Sequence, residues 1–88
     1  MTNCQLHPSV VVRTEADATF ALHLETGEMI DLNESAQILV QKLPGGATIE
    51  VLTAALRDAY PEVSLVEARR DVEELLDALR ALQFVCAP

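Results

Sequence analysis

The spacing of hydrophobic residues changes once along this chain, near residue 32, and this change limits the folds available to it. Before that point the residues are β-branched or alternate between apolar and polar, as in strands. After it, apolar residues recur every three or four positions, as in helices. Three strands are predicted, at 10–12, 19–24 and 29–32. The chain therefore belongs to the α+β class, with a three-stranded antiparallel sheet followed by three helices, an arrangement compatible with a winged helix-turn-helix.

The predicted strands form an antiparallel meander, because only short polar stretches connect them. Gly27 lies in the second connection and supplies the positive φ of a tight hairpin. The two faces of the second strand carry Phe20, Leu22 and Leu24 on one side and Ala21 and His23 on the other. The two faces of the third strand carry Ile30 and Leu32 on one side and Met29 and Asp31 on the other. We expect one face of the sheet to pack and the other, with His23, to meet water or a partner.

Capping side chains predict where the helices begin. The first helix follows Asn33 and ends near Leu43, before a Pro-Gly-Gly break. The second follows Thr48 and ends at Tyr60, whose ring is expected to pack on the core with its hydroxyl outside.

The third helix has the best-defined start, since Ser64 and Glu67 have the spacing of a capping box. It is predicted to run to about Leu82, after which Phe84 and Val85 pack back on the core. Its apolar stripe consists of Leu65, Ala68, Val72, Leu75, Leu79 and Leu82. A second stripe, on one flank of the same helix, consists of Arg69, Glu73, Leu76 and Arg80.

The acidity of the chain argues against several classes of function. Six Lys and Arg residues stand against fourteen Asp and Glu residues, a formal net charge of −8, so neither nucleic acid nor an anionic membrane is an expected partner. Two Cys and two His residues offer few soft ligands, and we expect no metal and no cofactor. No nucleophile stands clearly beside a base, so the sequence predicts no catalytic residue and no enzyme activity.

Length and terminal sequence predict one domain in the cytoplasm. The domain spans 1–88, with an ordered core at about 9–86. Residues 1–8 lack the pattern of a secretion signal, and no apolar segment approaches the ~20 residues needed to cross a bilayer. In a reducing compartment Cys4 and Cys86 are expected to be free thiols. His7, in the terminal segment, and His23 are expected to be exposed to solvent.

Several short motifs occur in a fixed order along the chain. They are Gly27, the run 30–36 (Ile-Asp-Leu-Asn-Glu-Ser-Ala), the break 45–50 (Gly-Gly-Ala-Thr-Ile-Glu), 59–60 (Ala-Tyr), the run 71–79 and the closing residues Leu82 and 84–85. Together they resemble the PqqD-like family over roughly 10–85. With Ala-Tyr-Pro before the last helix, the chain is most similar to the small leader-binding proteins of lasso-peptide pathways.

The resemblance implies a non-catalytic recognition element for a ribosomally made precursor peptide. Its partners would be the leader segment of that precursor and a separate leader peptidase or other modifying enzyme. In the family, the leader adds as a strand to the third strand and lies in the groove between that strand and the third helix. Carried over to this chain, the peptide-binding residues are Met29, Ile30, Asp31, Leu32, Arg69, Val72, Glu73, Leu76 and Arg80.

The residues themselves fit this site but leave an alternative open. The strand 29–32 lies between a hairpin and a helix, so it is an edge strand with unpaired backbone groups, which favours strand addition. In one interpretation Leu76 anchors a peptide and Arg69 and Arg80 bind its carboxylates. In the other, Leu76 widens the core stripe, and the arginines form a solvated face with pairs such as Arg69 and Glu73.

Three other functions fit parts of the sequence. Ser35 at a helix start resembles the modified serine of acyl carriers, but the usual Asp-Ser-Leu context is missing and carriers are all-helical. A DNA-binding winged helix would insert the third helix, whose acidic residues outnumber its arginines. A protein–protein adaptor or dimerisation module unrelated to peptide modification would use the same open strand and apolar stripe.

Overall fold

The computed structural model describes residues 3–86, which form two small antiparallel sheets and three helices. The elements follow in the order β1 Asn3–Leu6, β2 Val10–Glu15, β3 Ala18–His23, β4 Met29–Leu32, α1 Glu34–Val40, β5 Ala47–Thr48, α2 Ile49–Ala59, α3 Leu65–Ala81 and β6 Val85–Cys86. The α+β class and the three-stranded sheet followed by three helices are confirmed. Among the helices between residues 3 and 86, none is both long and apolar enough to cross a membrane.

The larger sheet is the predicted meander, with strand order β2-β3-β4 and antiparallel pairing throughout. Gly27 has φ +78° in the hairpin between β3 and β4, as its position in the sequence predicts. β2 and β4 are the two edges of this sheet, so each leaves one row of backbone groups without a strand partner.

The smaller sheet was not predicted. β1 lies between β5 and β6, and the N–H of His7 continues this pairing by donating to the carbonyl of Phe84 at 2.8 Å. No strand was predicted before residue 9. The four residues of β1 give too short an alternation to identify a strand. The partners of β1 lie more than forty positions away, at Ala47 and Thr48, and at Val85 and Cys86.

The buried face of β3 is the one that was expected to meet water or a partner. Ala21 and His23 are both 1% exposed, whereas Phe20 and Leu22 are half-buried and Leu24 is 62% exposed. The prediction that His23 meets solvent is therefore wrong. Period-two alternation determines which residues share a face, but the packing of other elements determines which face is covered.

Capping side chains begin all three described helices as predicted. Asn33 Oδ1 accepts the N–H of Ala36 at 2.9 Å and the hydroxyl of Ser35 at 3.0 Å, so Ser35 supports the cap. The helix α1 ends at Val40 rather than near Leu43, because the N–H groups of Lys42 and Leu43 bond to carbonyls three residues back.

The helices α2 and α3 begin after Thr48 and Ser64. Thr48 Oγ1 accepts the N–H of Val51 at 3.2 Å, and Ser64 Oγ accepts the N–H of Glu67 at 3.1 Å. The Ser64 hydroxyl also donates to the Glu67 carboxylate at 3.2 Å. The predicted pairing of Ser64 with Glu67 is thus present, although the carboxylate binds the hydroxyl of Ser64 and not its backbone N–H.

One face of α3 packs into the core, and this face differs from the predicted stripe at two positions. The buried residues of α3 are Ala68, Val72, Leu76 and Leu79. Leu65 is 58% exposed and so lies outside the core, whereas Leu76 is 2% exposed and lies within it. Phe84 and Val85 pack back on the core as predicted, with Phe84 completely buried.

Candidate functional site

The free edge of β4 offers backbone groups to a partner strand. The N–H of His23 donates to the carbonyl of Glu28 at 2.9 Å, and bonding alternates along an antiparallel ladder. Ile30 and Leu32, which lie opposite Ala21 and Thr19, therefore direct their backbone groups toward β3. It follows that Met29 and Asp31 direct their N–H and C=O groups away from the sheet.

The side chains of β4 divide between two surfaces as predicted. Leu32 is buried and Ile30 is half-buried against the core. Met29, 58% exposed, and Asp31, also exposed, point to the outer face. Any strand added at this edge would place alternate side chains toward the helices and toward the outer face.

A cavity of about 400 Å³ opens where β4 ends. It lies between the beginning of α1 and the middle of α3, and its lining consists of Asn33, Ser35, Ala36, Leu39, Asp71, Glu74 and Leu75. Ala36 and Leu39 are buried and form an apolar floor, and Leu75 is half-buried on the wall. The cavity therefore begins just beyond β4, with apolar residues at its floor and polar residues at its rim.

The structure corrects the predicted contribution of α3. Val72 and Leu76 are 0% and 2% exposed, so neither reaches the surface, and the prediction that Leu76 is an exposed anchor is wrong. The structure agrees with the alternative, in which Leu76 widens the core stripe. Both residues support the site from beneath, because they hold α3 against the rest of the core.

The three charged residues of the predicted flank do not line the cavity. Nη2 of Arg69 lies 4.0 Å from Oε2 of Glu50 on α2. Arg80 lies near the other end of α3, where Nη2 donates to Sγ of Cys4 at 3.3 Å and Nη1 lies 3.4 Å from Oδ1 of Asp77. Glu73 shares their flank and is exposed. The cavity instead meets the opposite flank of α3, and a role for these three residues in peptide binding stays a prediction.

Sequence reasoning missed Asp71, Glu74 and Leu75 as a group. At 100° per residue they lie on the far side of Val72 from Arg69 and Leu76. Helical spacing alone therefore does not indicate which of the two flanks borders a groove. One signal was present: Leu75 is an apolar residue at the margin of the stripe, among carboxylates. Only the position of α1 beside this flank shows that it borders a cavity.

A hydrogen bond between α1 and the end of α2 lies beside the β4 end. The hydroxyl of Tyr60 donates to Oε1 of Glu34 at 2.8 Å. The bond to the Glu34 carboxylate raises the pKa of Tyr60, since ionisation would remove the donor and place two negative charges together. The Tyr60 ring packs on the core, as predicted, and its hydroxyl joins α2 to the first residue of α1.

One cluster among residues 3–86 has the composition of a metal site. His7, His23 and Glu25 offer ligand atoms within 4.8 Å of one another. However, Nδ1 of the half-buried His7 accepts the N–H of Ser9 at 3.0 Å, and Nδ1 of His23 accepts the N–H of Glu25 at 3.2 Å. Nδ1 of each ring is therefore already occupied by a backbone N–H, and these bonds fix both imidazoles within the fold. The cluster joins the end of β1 to the β3–β4 turn.

The chain is similar to known proteins over nearly its whole length. Residues 18–85 match the family described as "Coenzyme PQQ synthesis protein D (PqqD)". The structure is similar to "TbiB1 in Complex with the TbiA(beta) Leader Peptide", with a TM-score of 0.81, 25% sequence identity, and coverage of 92% of this chain and 93% of that chain. It is also similar to "Lasso peptide synthetase B1 complexed with the leader peptide", with a TM-score of 0.80, 26% identity, and coverage of 94% and 96%. No curated protein sequence matches the chain significantly.

Proposed function

The chain belongs to the PqqD family, and from this we propose that it binds the leader segment of a ribosomally made precursor peptide and delivers it to a modifying enzyme. The similar structures are described as complexes with leader peptides, which supports a peptide as the partner. The observation that carries the proposal is the free backbone edge of β4 beside a cavity walled by α3.

In the proposed complex the leader adds as a fourth strand to the sheet. The outward backbone groups of Met29 and Asp31 supply two donors and two acceptors, and such bonds hold an extended peptide whatever its sequence. Alternate leader side chains then point toward the helices, where the cavity with its floor of Ala36 and Leu39 receives them. Backbone bonds thus give a common source of affinity, and the cavity gives selectivity.

Delivery requires no bond chemistry from this chain. Within residues 3–86, the two histidines are engaged with backbone N–H groups, and Ser35 donates to Asn33, so these groups serve the fold. A protein that holds the leader while a leader peptidase or other enzyme acts raises the effective concentration of the substrate at that enzyme. We therefore propose an adaptor without enzyme activity.

Calorimetric titration with synthetic leader and core fragments of a candidate precursor peptide tests peptide binding. We expect the leader fragment to bind and the core fragment, the part that becomes the product, to bind negligibly. The variant Asp31→Pro removes one outward N–H and should abolish the leader signal, whereas Val12→Pro on the β2 edge is the matched control. Binding that requires the core fragment, or equal loss in both variants, would overturn the proposal.

A second measurement tests delivery. Added to the partner leader peptidase, the chain should accelerate cleavage of the precursor, and the Asp31→Pro variant should lose this stimulation in proportion to its leader affinity. Incubated with the precursor alone, the chain should leave the peptide mass unchanged. Processing by the purified chain, or a peptidase equally fast without it, would contradict the adaptor function.

A further inference from the structure

We infer that the peptide bound in this groove carries a lysine or arginine two residues from an apolar side chain, and that Asp71 and Glu74 bind this cation. The inference rests on the proposed function, which places an extended peptide on the β4 edge, and it adds the chemical class of peptide that the groove selects. It follows from the charge and geometry of the cavity rim.

The rim has one sign of charge. In the described part of the chain, Asp71 and Glu74 are the only charged residues that line the cavity, and no cation lines it. Within residues 3–86 neither carboxylate lies within 4.0 Å of a basic group, whereas Glu50 and Asp77, near the other flank of α3, pair with Arg69 and Arg80. Two unpaired carboxylates one turn apart repel each other, and a cation placed between them relieves that repulsion.

An apolar surface lies next to this charge. Leu75 follows Glu74 directly and is half-buried, and the floor of the cavity is formed by Ala36 and Leu39. A groove with an apolar floor and an acidic rim fits a segment that has one apolar side chain and one cation on the same side. An acidic segment would meet repulsion from the rim and from the whole chain, whose net charge is −8.

The spacing follows from the geometry of the two elements. In an added strand, residues two apart share a face and lie about 7 Å from each other. Residues three and four apart on a helix lie about 5–6 Å from each other. An apolar side chain in the cavity therefore brings the side chain two positions away within reach of Asp71 and Glu74, and the long chains of lysine and arginine extend past the apolar wall to the carboxylates.

Selection from a phage-displayed library of random linear peptides on the immobilised chain tests this inference. We expect enriched peptides to contain lysine or arginine two positions from an apolar residue. The same selection on the double variant Asp71→Asn, Glu74→Gln should lose the preference for a cation. The matched control, Asp17→Asn with Glu15→Gln, changes the net charge equally, at exposed positions that do not line the cavity, and should retain the preference.

A double-mutant cycle then locates the contact. Replacing the enriched lysine by norleucine, or arginine by citrulline, should weaken binding to the unmodified chain about fivefold, measured by fluorescence anisotropy, and should have little effect on the Asp71→Asn, Glu74→Gln variant. Equal weakening on both proteins would overturn the inference. Enriched peptides that lose binding in Asp31→Pro but lack a basic residue would overturn the inference alone. No enrichment of any peptide would contradict the proposed function as well.

Discussion

The two edges of the larger sheet have the same backbone chemistry but different surroundings. On β2, the outward groups belong to Val12 and Thr14, by the same alternation that places Met29 and Asp31 on the free side of β4. The last four residues of β2 are all exposed. β4 instead leads directly into α1 and the cavity between α1 and α3.

Both edges can pair with an extended chain, so backbone bonds alone cannot distinguish them. In the complex proposed above, the β4 edge is chosen because the neighbouring cavity, with Ala36 and Leu39 at its floor and Asp71 and Glu74 at its rim, would add affinity and selectivity. The β2 edge carries Val12, which is 42% exposed. None of the described cavities is lined by a residue of β2, so this edge does not border a cavity walled by a helix as β4 does.

The largest expected effect concerns the helix that walls the β4 edge. Leu76→Ala should lower the free energy of unfolding by about 2–5 kcal/mol, because it opens a cavity in the core. Leu75→Ala, one residue along and half-buried, should lower it by much less. Chemical denaturation followed by circular dichroism measures both. If Leu76→Ala instead had normal stability and no longer bound leader, the result would contradict the burial of Leu76 and support its role as an exposed anchor for the peptide.

The next prediction separates the two edges directly. Asp31→Pro should weaken leader binding about 100-fold, equivalent to about 2.7 kcal/mol, because proline removes an outward donor and its ring obstructs the added strand. The β3–β4 ladder should survive, since the N–H of Asp31 is not used in it. Val12→Pro should leave affinity within a factor of about two. Calorimetry gives the affinities and thermal melting checks the fold. Strong loss in Val12→Pro alone would move the site to β2.

Side chains at the two edges give a smaller contrast. Leu75→Ala should weaken leader binding about tenfold, since it removes apolar contact area from the cavity wall. Val12→Ala removes a more exposed apolar group at the other edge and should change affinity by less than about twofold. Titration of one labelled leader peptide into each variant measures the difference. Equal effects would show that the cavity does not contact the peptide.

The smallest effect reports on local structure beside the β4 edge. Tyr60 is the single tyrosine of the chain, so the ultraviolet absorbance of its phenolate follows one group. Glu34→Gln should lower the pKa of Tyr60 toward its usual value, because the carboxylate that accepts its hydrogen bond is gone. Glu15→Gln, at the end of β2, should leave the titration unchanged, and a shift there would indicate a general charge effect.

The same bond predicts the direction of a pH effect on stability. The pKa of Tyr60 is raised in the folded chain, so the contribution of this bond is fully present below the pH at which an unfolded tyrosine ionises. It is lost as the pH rises through the raised pKa. Between those two values the unmodified chain should lose stability more steeply than Glu34→Gln, as measured by denaturant unfolding at a series of alkaline pH values.

Local chemistry explains which features could be predicted from the sequence. Asn33, Thr48 and Ser64 cap their helices because each side chain accepts the N–H three positions further along, a contact that depends on neighbouring residues alone. Gly27 likewise has the positive φ that its hairpin requires. The motifs within 27–85 resemble the PqqD family, and the match over residues 18–85 confirms this resemblance.

Features that depend on distant elements could not be predicted in this way. The strand β1 needs one partner between α1 and α2 and another after α3, and the burial of His23 depends on contacts with Phe84, more than sixty residues away. The burial of Leu76 and the exposure of Leu65 are decided by how α3 packs in the fold. For β3 and α3 the periodicity was correct, but it did not determine which surface is covered.

The sequence by itself determined the meander, the three capped helices and the edge position of β4, because hydrophobic period and capping act over a few residues. Only the tertiary structure decided which flank of α3 borders the cavity. The two flanks are related by a rotation about the helix axis that leaves the hydrophobic period unchanged. The position of α1 beside one of them makes Asp71, Glu74 and Leu75 line the cavity that opens after β4, and Arg69, on the other flank, lies beside α2.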